Sequence, residues 1–149
     1  MEIERKFLIK ENEFNYKEYP HKLYEQGYLS VDPVVRVRME GDEYVLTYKG
    51  SGMLSREEYN LPLTKESYEH LIKKADGIII KKNRYFIPFD KYTIELDEFL
   101  GVHEGLITAE VEFESEEEAL SFTPPVWFGE DVTYDVKYKN SYLSMNKLI

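Results

Sequence analysis

Along this chain two side chains of like charge repeatedly stand two residues apart, among them Glu2/Glu4, Arg36/Arg38, Lys82/Arg84, Glu95/Asp97 and Glu110/Glu112. In an extended strand both members of such a pair leave one face, and residues of the other parity leave the opposite face. That opposite parity is mostly apolar. Ile3, Phe7 and Ile9 accompany the first pair, Val35, Val37 and Met39 the second, Tyr85 and Ile87 the third, Ile94 and Leu96 the fourth, and Ala109, Val111 and Phe113 the fifth. The chain is therefore read as a series of strands with one ionic and one apolar face. Lys6, Lys49, Glu58, Lys137 and Lys139 extend the ionic set.

Antiparallel sheets commonly alternate in this way with the polar face in water. Three features argue for something else. Signs segregate by strand, and like charges two residues apart repel unless something neutralises them. Of only five Arg against 14 Lys, three fall at ionic positions, where a planar fork suits phosphate oxygens better than an ammonium does. The set is also close to neutral, with seven acids against eight bases, so of the net charge of -10 the rest of the chain carries about -11.

An antiparallel barrel of about eight strands encloses room for side chains or one small ligand. Lining it with charges is costly unless water, metal ions and an anion complete the pairing. The expectation is a hydrated tunnel with a basic lining for an extended anion and carboxylates for a divalent metal. Oxygen-only ligands favour Mg2+ or Mn2+ over zinc.

Period-2 segments separated by turn signals predict strands near 2–9, 21–31, 34–40, 43–49, 55–61, 78–87, 92–98, 106–114 and 132–139. Glu40-Gly41-Asp42-Glu43 and Pro88-Phe89-Asp90-Lys91 read as hairpin turns. Thr64 and Ser115 read as N-caps of two helices, with Gly77 ending the first, and a third helix from Asn140 or Ser141 carries Leu143 and Leu148. The 13 Tyr and 8 Phe favour sheet. The fold class expected is α+β, a closed eight-stranded antiparallel barrel with a few helices, in one domain over residues 1–149.

The acidic balance argues against a nucleic-acid or anionic-membrane partner, and the longest aliphatic runs fall far short of a membrane span. There is no Cys, so thiolate chemistry and disulfides are excluded, and a cytoplasmic protein is expected. His21, His70 and His103 lack metal-ligand spacing, and Gly50-Ser51-Gly52 lacks the pattern of a phosphate loop. Trp127 reads as a core or tunnel-end plug, with a homodimer contact as the alternative.

Taken in order, Glu2-x-Glu4-x-Lys6, Glu25-Gln26-Gly27-Tyr28-Leu29, Arg36-x-Arg38, Lys49, Arg56-Glu57-Glu58-Tyr59, Lys82-x-Arg84, Glu95-x-Asp97, Glu110-Val111-Glu112-Phe113 and Asp131-Val132-Thr133 before Lys137 and Lys139 resemble the CYTH family, the triphosphate tunnel metalloenzymes. The resemblance implies an eight-stranded tunnel, dependence on a divalent metal, and a small-molecule substrate bearing a linear triphosphate. It implies tripolyphosphatase activity first. A class IV-type adenylate cyclase, a thiamine or nucleoside triphosphatase, and a non-catalytic polyphosphate-binding module are the alternatives. On this analogy Glu2, Glu4 and Glu112 hold metal with Glu58, Asp97 and Glu110 close by. Arg36, Arg38, Lys49, Lys82 and Arg84 clamp phosphates, and Lys137 and Lys139 complete the basic set. Lys6 and Lys82 neutralise developing charge, while Tyr28 either places the attacking water or packs. Glu114 shares the parity of Glu112, so register decides which of the two meets metal.

Overall fold

The computed structural model describes residues 1–10 and 13–147. Ten strands follow the period-2 pattern: β1 Glu2–Ile9, β2 His21–Val31, β3 Val34–Glu40, β4 Glu43–Lys49, β5 Ser55–Arg56, β6 Glu58–Pro62, β7 Asp76–Phe89, β8 Tyr92–Leu100, β9 Ile107–Glu112 and β10 Phe128–Asp131. Among the described residues three α-helices accompany them: α1 Lys65–Ile72, α2 Glu116–Ser121 and α3 Asn140–Leu143. The N-caps expected at Thr64 and Ser115 form, each accepting a backbone N–H three residues on, at 3.0 and 3.1 Å. Among the described residues, no helix is long and apolar enough to cross a membrane.

All pairings are antiparallel, in the order β10-β1-β9-β8-β7-β2-β3-β4-β6. The two-residue turn between β3 and β4 places Gly41 at φ +65°, a conformation open to Gly at little cost. The ladder ends at β6 and β10, so the closed eight-stranded barrel is met as an open antiparallel sheet with helices. The single strand expected over 55–61 is split by Glu57, whose carbonyl accepts the Gly50 N–H at 3.0 Å. On one side of that break β6 pairs with β4, and on the other β5 pairs with β1 at Glu2↔Arg56 and Ile3↔Ser55.

The apolar faces of β7, β8 and β9 form the main core, where Ile94, Leu96, Ala109 and Val111 are wholly buried. Ala119 of α2, Phe122, Trp127 and Phe128 cover it, and Trp127 stacks on Phe14 with ring centroids 4.1 Å apart. Each buried Ile, Leu or Val stabilises the fold by about 1.5–3 kcal/mol, so this face carries the sheet and frees the ionic face for other work. A second cluster of Tyr28, Val34, Ile80, Phe99 and Leu143 ties α3 to β2, β3, β7 and β8. His103 is buried there, its Nε2 2.7 Å from the Leu143 carbonyl.

Two expectations fail locally. The strand over 132–139 is absent: β10 ends at Asp131 and a 3-10 turn follows at Val136–Tyr138. Asp131 accepts from the Thr133 N–H at 2.9 Å and Asp135 from the Lys137 N–H at 3.1 Å, and such side-chain bonds compete with a sheet ladder. Gly77 does not end α1, which stops at Ile72. It lies within β7 at φ +69°, where a Cβ would fall 2.3 Å from the Ser144 carbonyl oxygen. Leu148 lies outside the described residues.

Candidate active site

The ionic parities converge on a cavity of about 390 Å3. Arg36 and Arg38 enter from β3, Lys49 from β4 and Arg84 from β7. Glu2, Glu4 and Lys6 enter from β1, Glu58 from β6, Glu95 from β8, and Glu110 and Glu112 from β9. Tyr28 and Lys139 also line it. One wall is therefore rich in guanidinium groups and the facing wall in carboxyls.

On the basic wall, Arg36 is 5% exposed, yet its Nε has no hydrogen-bond partner and its Nη2 makes a single long bond to Thr47 at 3.4 Å. Such a donor costs about 1–3 kcal/mol in a protein interior, so this position suits a ligand with spare acceptor oxygens. Arg38 donates from Nε to Gln26 at 2.8 Å and pairs with Glu40 at 3.3 Å. Burial, then Arg36 and Arg84, pull its guanidinium down to about 10. Arg84 forms a two-pronged pair with Asp97 at 2.7 and 2.8 Å and also reaches Glu95 at 3.3 Å.

The acidic wall solves crowding with shared protons. Burial, Glu110 and Glu2 hold the Glu4 carboxyl well above the ordinary carboxylate range. Burial would raise Glu110 too, but Lys6, Arg84 and Lys82 together with a hydrogen bond from Glu4 keep it well below that range. Glu2 and Glu58 behave alike. Burial raises Glu2 despite Lys49, whereas Glu58 falls to about 2 because the hydrogen bond from Glu2 and the Lys49 ammonium outweigh its burial. Each pair titrates as one carboxylic acid bonded to one carboxylate. Glu112, at the open side, is raised by burial and by Glu2, Glu58 and Glu95.

Lys49 bridges both oxygens of Glu2 at 3.0 Å and reaches Glu58 at 3.4 Å. Lys6 donates to the Tyr138 carbonyl at 2.9 Å and lies 3.4 Å from Glu110. Among the described residues, no three acids or imidazoles are gathered into a ready-made metal cage. The carboxyl pairs instead suit a hard cation that takes one or two carboxylates and fills its shell with water and phosphate oxygens. The lining contains neither His nor Cys, the donors a zinc site would use.

Three residues singled out from the sequence do not line the cavity. Lys82 and Asp97 are wholly buried behind it. Both Asp97 oxygens are taken, Oδ1 by Arg84 and Oδ2 by Arg84 and Lys82, the last at 2.8 Å, which leaves Asp97 as an anchor for cations. Lys82 also donates to Asn140 at 3.1 Å. Burial, reinforced by Arg84 and Arg38 against the pull of Asp97, brings its ammonium down to about 7. Lys137 points to solvent beside Asp135, 3.9 Å away, because the 3-10 turn replaces the strand that would have turned it inward.

The structure adds Arg56, whose Nε donates to Glu2 at 3.3 Å, together with Tyr24 on β2 and Thr133 and Asn140 from the C-terminal segment. Arg56 was detectable from the scarcity of Arg, and Tyr24 from sharing the parity of Tyr28. The exception among the arginines is Arg5, of opposite parity, which donates to the Ala119 and Phe122 carbonyls at the C-terminal end of α2 and pairs with Asp131 at 2.9 Å.

Comparison with known proteins bears on the family and the fold. The CYTH domain matches residues 1–123. The chain is 41% identical over 150 residues to an inorganic triphosphatase of Nitrosomonas europaea, covering 97% of each chain. It is 40% identical to an inorganic triphosphatase of Acetivibrio thermocellus, covering 97% of this chain and 94% of the other. The crystal structure of the inorganic triphosphatase NE1496 superposes with a TM-score of 0.72 at 37% identity, covering 98% of this chain and 95% of that one.

Proposed function

The chain belongs to the CYTH family, and from that premise we propose that it hydrolyses inorganic tripolyphosphate to pyrophosphate and orthophosphate within the two-walled cavity. The observation that carries this reading is the facing of Arg36, Arg38 and Arg84 against Glu2, Glu4, Glu110 and Glu112 across a space of about 390 Å3. The same reading takes the β5–β1 pairing, next to β6 in the chain, as joining the two ends of the sheet into an eight-stranded bore, and the cysteine-free chain fits a reducing, cytoplasmic setting.

In this mechanism Arg36, Arg38, Lys49 and Arg84 hold the phosphate chain as charge-assisted donors. Glu2, Glu4 and Glu112, with Glu58 and Glu110 beside them, would hold Mg2+ or Mn2+. When bound, the ion supplies neutralisation of phosphate charge and polarisation of a phosphoryl oxygen. Water attacks the terminal phosphorus in line with the departing pyrophosphate, and Tyr28 orients that water or the terminal phosphate. Lys6, fixed by the Tyr138 carbonyl and Glu110, offsets charge growing on the transferring group. Lys82 works from behind the wall, holding Asp97 and therefore Arg84 in place.

The test is product analysis with Mg2+ and Mn2+ across tripolyphosphate, ATP, thiamine triphosphate and long-chain polyphosphate. Orthophosphate released from tripolyphosphate with the highest kcat/KM is expected. Cyclic AMP and pyrophosphate from ATP would make the protein a cyclase, and tight binding of every anion without turnover would make it a binding module.

A further inference from the structure

Tyr24 has no part in the mechanism above. It stands on β2, which lies between β7 and β3 in the sheet, and its side chain faces the cavity while only 5% exposed. The ring centroid is 5.1 Å from the Arg38 Cζ and 5.0 Å from the Arg84 Cζ. These two guanidinium groups come from different strands and carry like charge, so left alone they would separate or swing towards solvent. Their other anchors are independent of each other: Gln26 and Glu40 for Arg38, Asp97 and Glu95 for Arg84. The Tyr24 ring is common to both. The negative face of an aromatic ring attracts cations, and more strongly where water is excluded. Among the described residues the Tyr24 hydroxyl makes no hydrogen bond, so the ring and not the hydroxyl makes these contacts.

We propose that Tyr24 is a positioning residue of the phosphate clamp, a cation–π platform shared by Arg38 and Arg84 that holds the two forks side by side towards the cavity. Its functional meaning rests on the triphosphatase reading, but the platform itself is a property of the free protein. A fixed pair of forks fits adjacent phosphoryl groups of one linear anion, whereas independently mobile forks would have to be ordered at each binding event.

The experiment compares wild type with Tyr24→Phe and Tyr24→Leu. Nitrogen–proton spectra of the Arg Nε–Hε groups, assigned with Arg38→Lys and Arg84→Lys, report the ring directly through its ring-current shift. Tripolyphosphate affinity by calorimetry and KM against kcat report the consequence. Tyr24→Phe is expected to keep both shifted signals and a KM within about twofold of wild type, and Tyr24→Leu to lose both shifts and raise KM roughly tenfold with kcat changed less than about threefold. Unshifted Arg38 and Arg84 signals in wild type overturn the proposal, whether or not Tyr24→Leu folds. So do an unchanged affinity in Tyr24→Leu and equal damage in Tyr24→Phe. A wild type that turns over no triphosphate overturns the enzymatic reading, and the platform is then decided by the two Arg signals and by tripolyphosphate affinity.

Discussion

The two walls of the cavity face the same difficulty, like charges crowded on one sheet, and resolve it in different ways. On the β3 and β7 side, charge is fixed: Arg38 is held by Gln26, Glu40 and Tyr24, and Arg84 by Asp97, while the Arg36 Nε is left with no partner. On the β1 and β9 side, charge is adjustable, since Glu4 with Glu110 and Glu2 with Glu58 each share a proton. A permanent cation cannot be discharged and must be propped, but a carboxyl can take up a proton and later exchange it for a metal ion. On the proposed reading the basic wall receives an anion, and the acidic wall exchanges a proton for a metal ion.

The largest effect is expected where that exchange fails. Glu4→Gln should lower Mg2+- or Mn2+-dependent phosphate release from tripolyphosphate about 10³-fold with the fold retained, and undiminished release in a single-turnover assay would break the distinction between the walls. On the fixed wall, Arg38→Ala should raise KM by about 30-fold and alter kcat far less, because a clamp acts in ground and transition states alike. A kcat loss with KM unchanged would move Arg38 into the chemical step. Asp97→Asn should lower stability by about 3 kcal/mol in urea unfolding, since it leaves Arg84 and Lys82 buried without their carboxylate.

A smaller effect tests the shared proton. The folded value of Glu4 lies above its unfolded value, so its stabilising contribution is complete in acid and is lost as pH rises through the folded value. Glu58 runs the other way: its contribution is present above 4.5 and is lost as pH falls towards about 2. Metal-free wild type should therefore lose stability relative to Glu4→Gln as pH rises above the ordinary carboxylate range, and Mg2+ should restore it at the higher pH. A difference between the two proteins that stays constant with pH would dismiss the shared proton. The smallest change belongs to Lys137→Ala, whose side chain faces solvent, with kcat/KM altered less than about twofold.

Much of this was legible in the chain itself. Strand parity follows from covalent geometry, so Glu2, Glu4 and Lys6, or Arg36 and Arg38, had to share a face wherever their strands went. Segregation of sign by strand and selective use of Arg set that face apart and led to the reading proposed above, and the ordered series of motifs marked the family. Hairpins at Gly41 and Asp90 and helix caps at Thr64 and Ser115 were local matters, set by residues within reach of one another.

What lay beyond the sequence depended on how distant strands register. Lys82 and Arg84 share a face, but only the pairing Arg84↔Asp97 between β7 and β8 decides that Asp97 is consumed as an anchor and that Lys82 is drawn behind the wall. The Asx-type turns at Asp131 and Asp135 turned Lys137 outward although its parity with Lys139 was right. The break at Glu57 left the sheet open where an uninterrupted strand would have closed it. Parity is a property of neighbouring bonds and so travels with the chain. Register, closure and the sharing of one ring by two arginines are properties of strands far apart in sequence, and only packing in three dimensions fixes them.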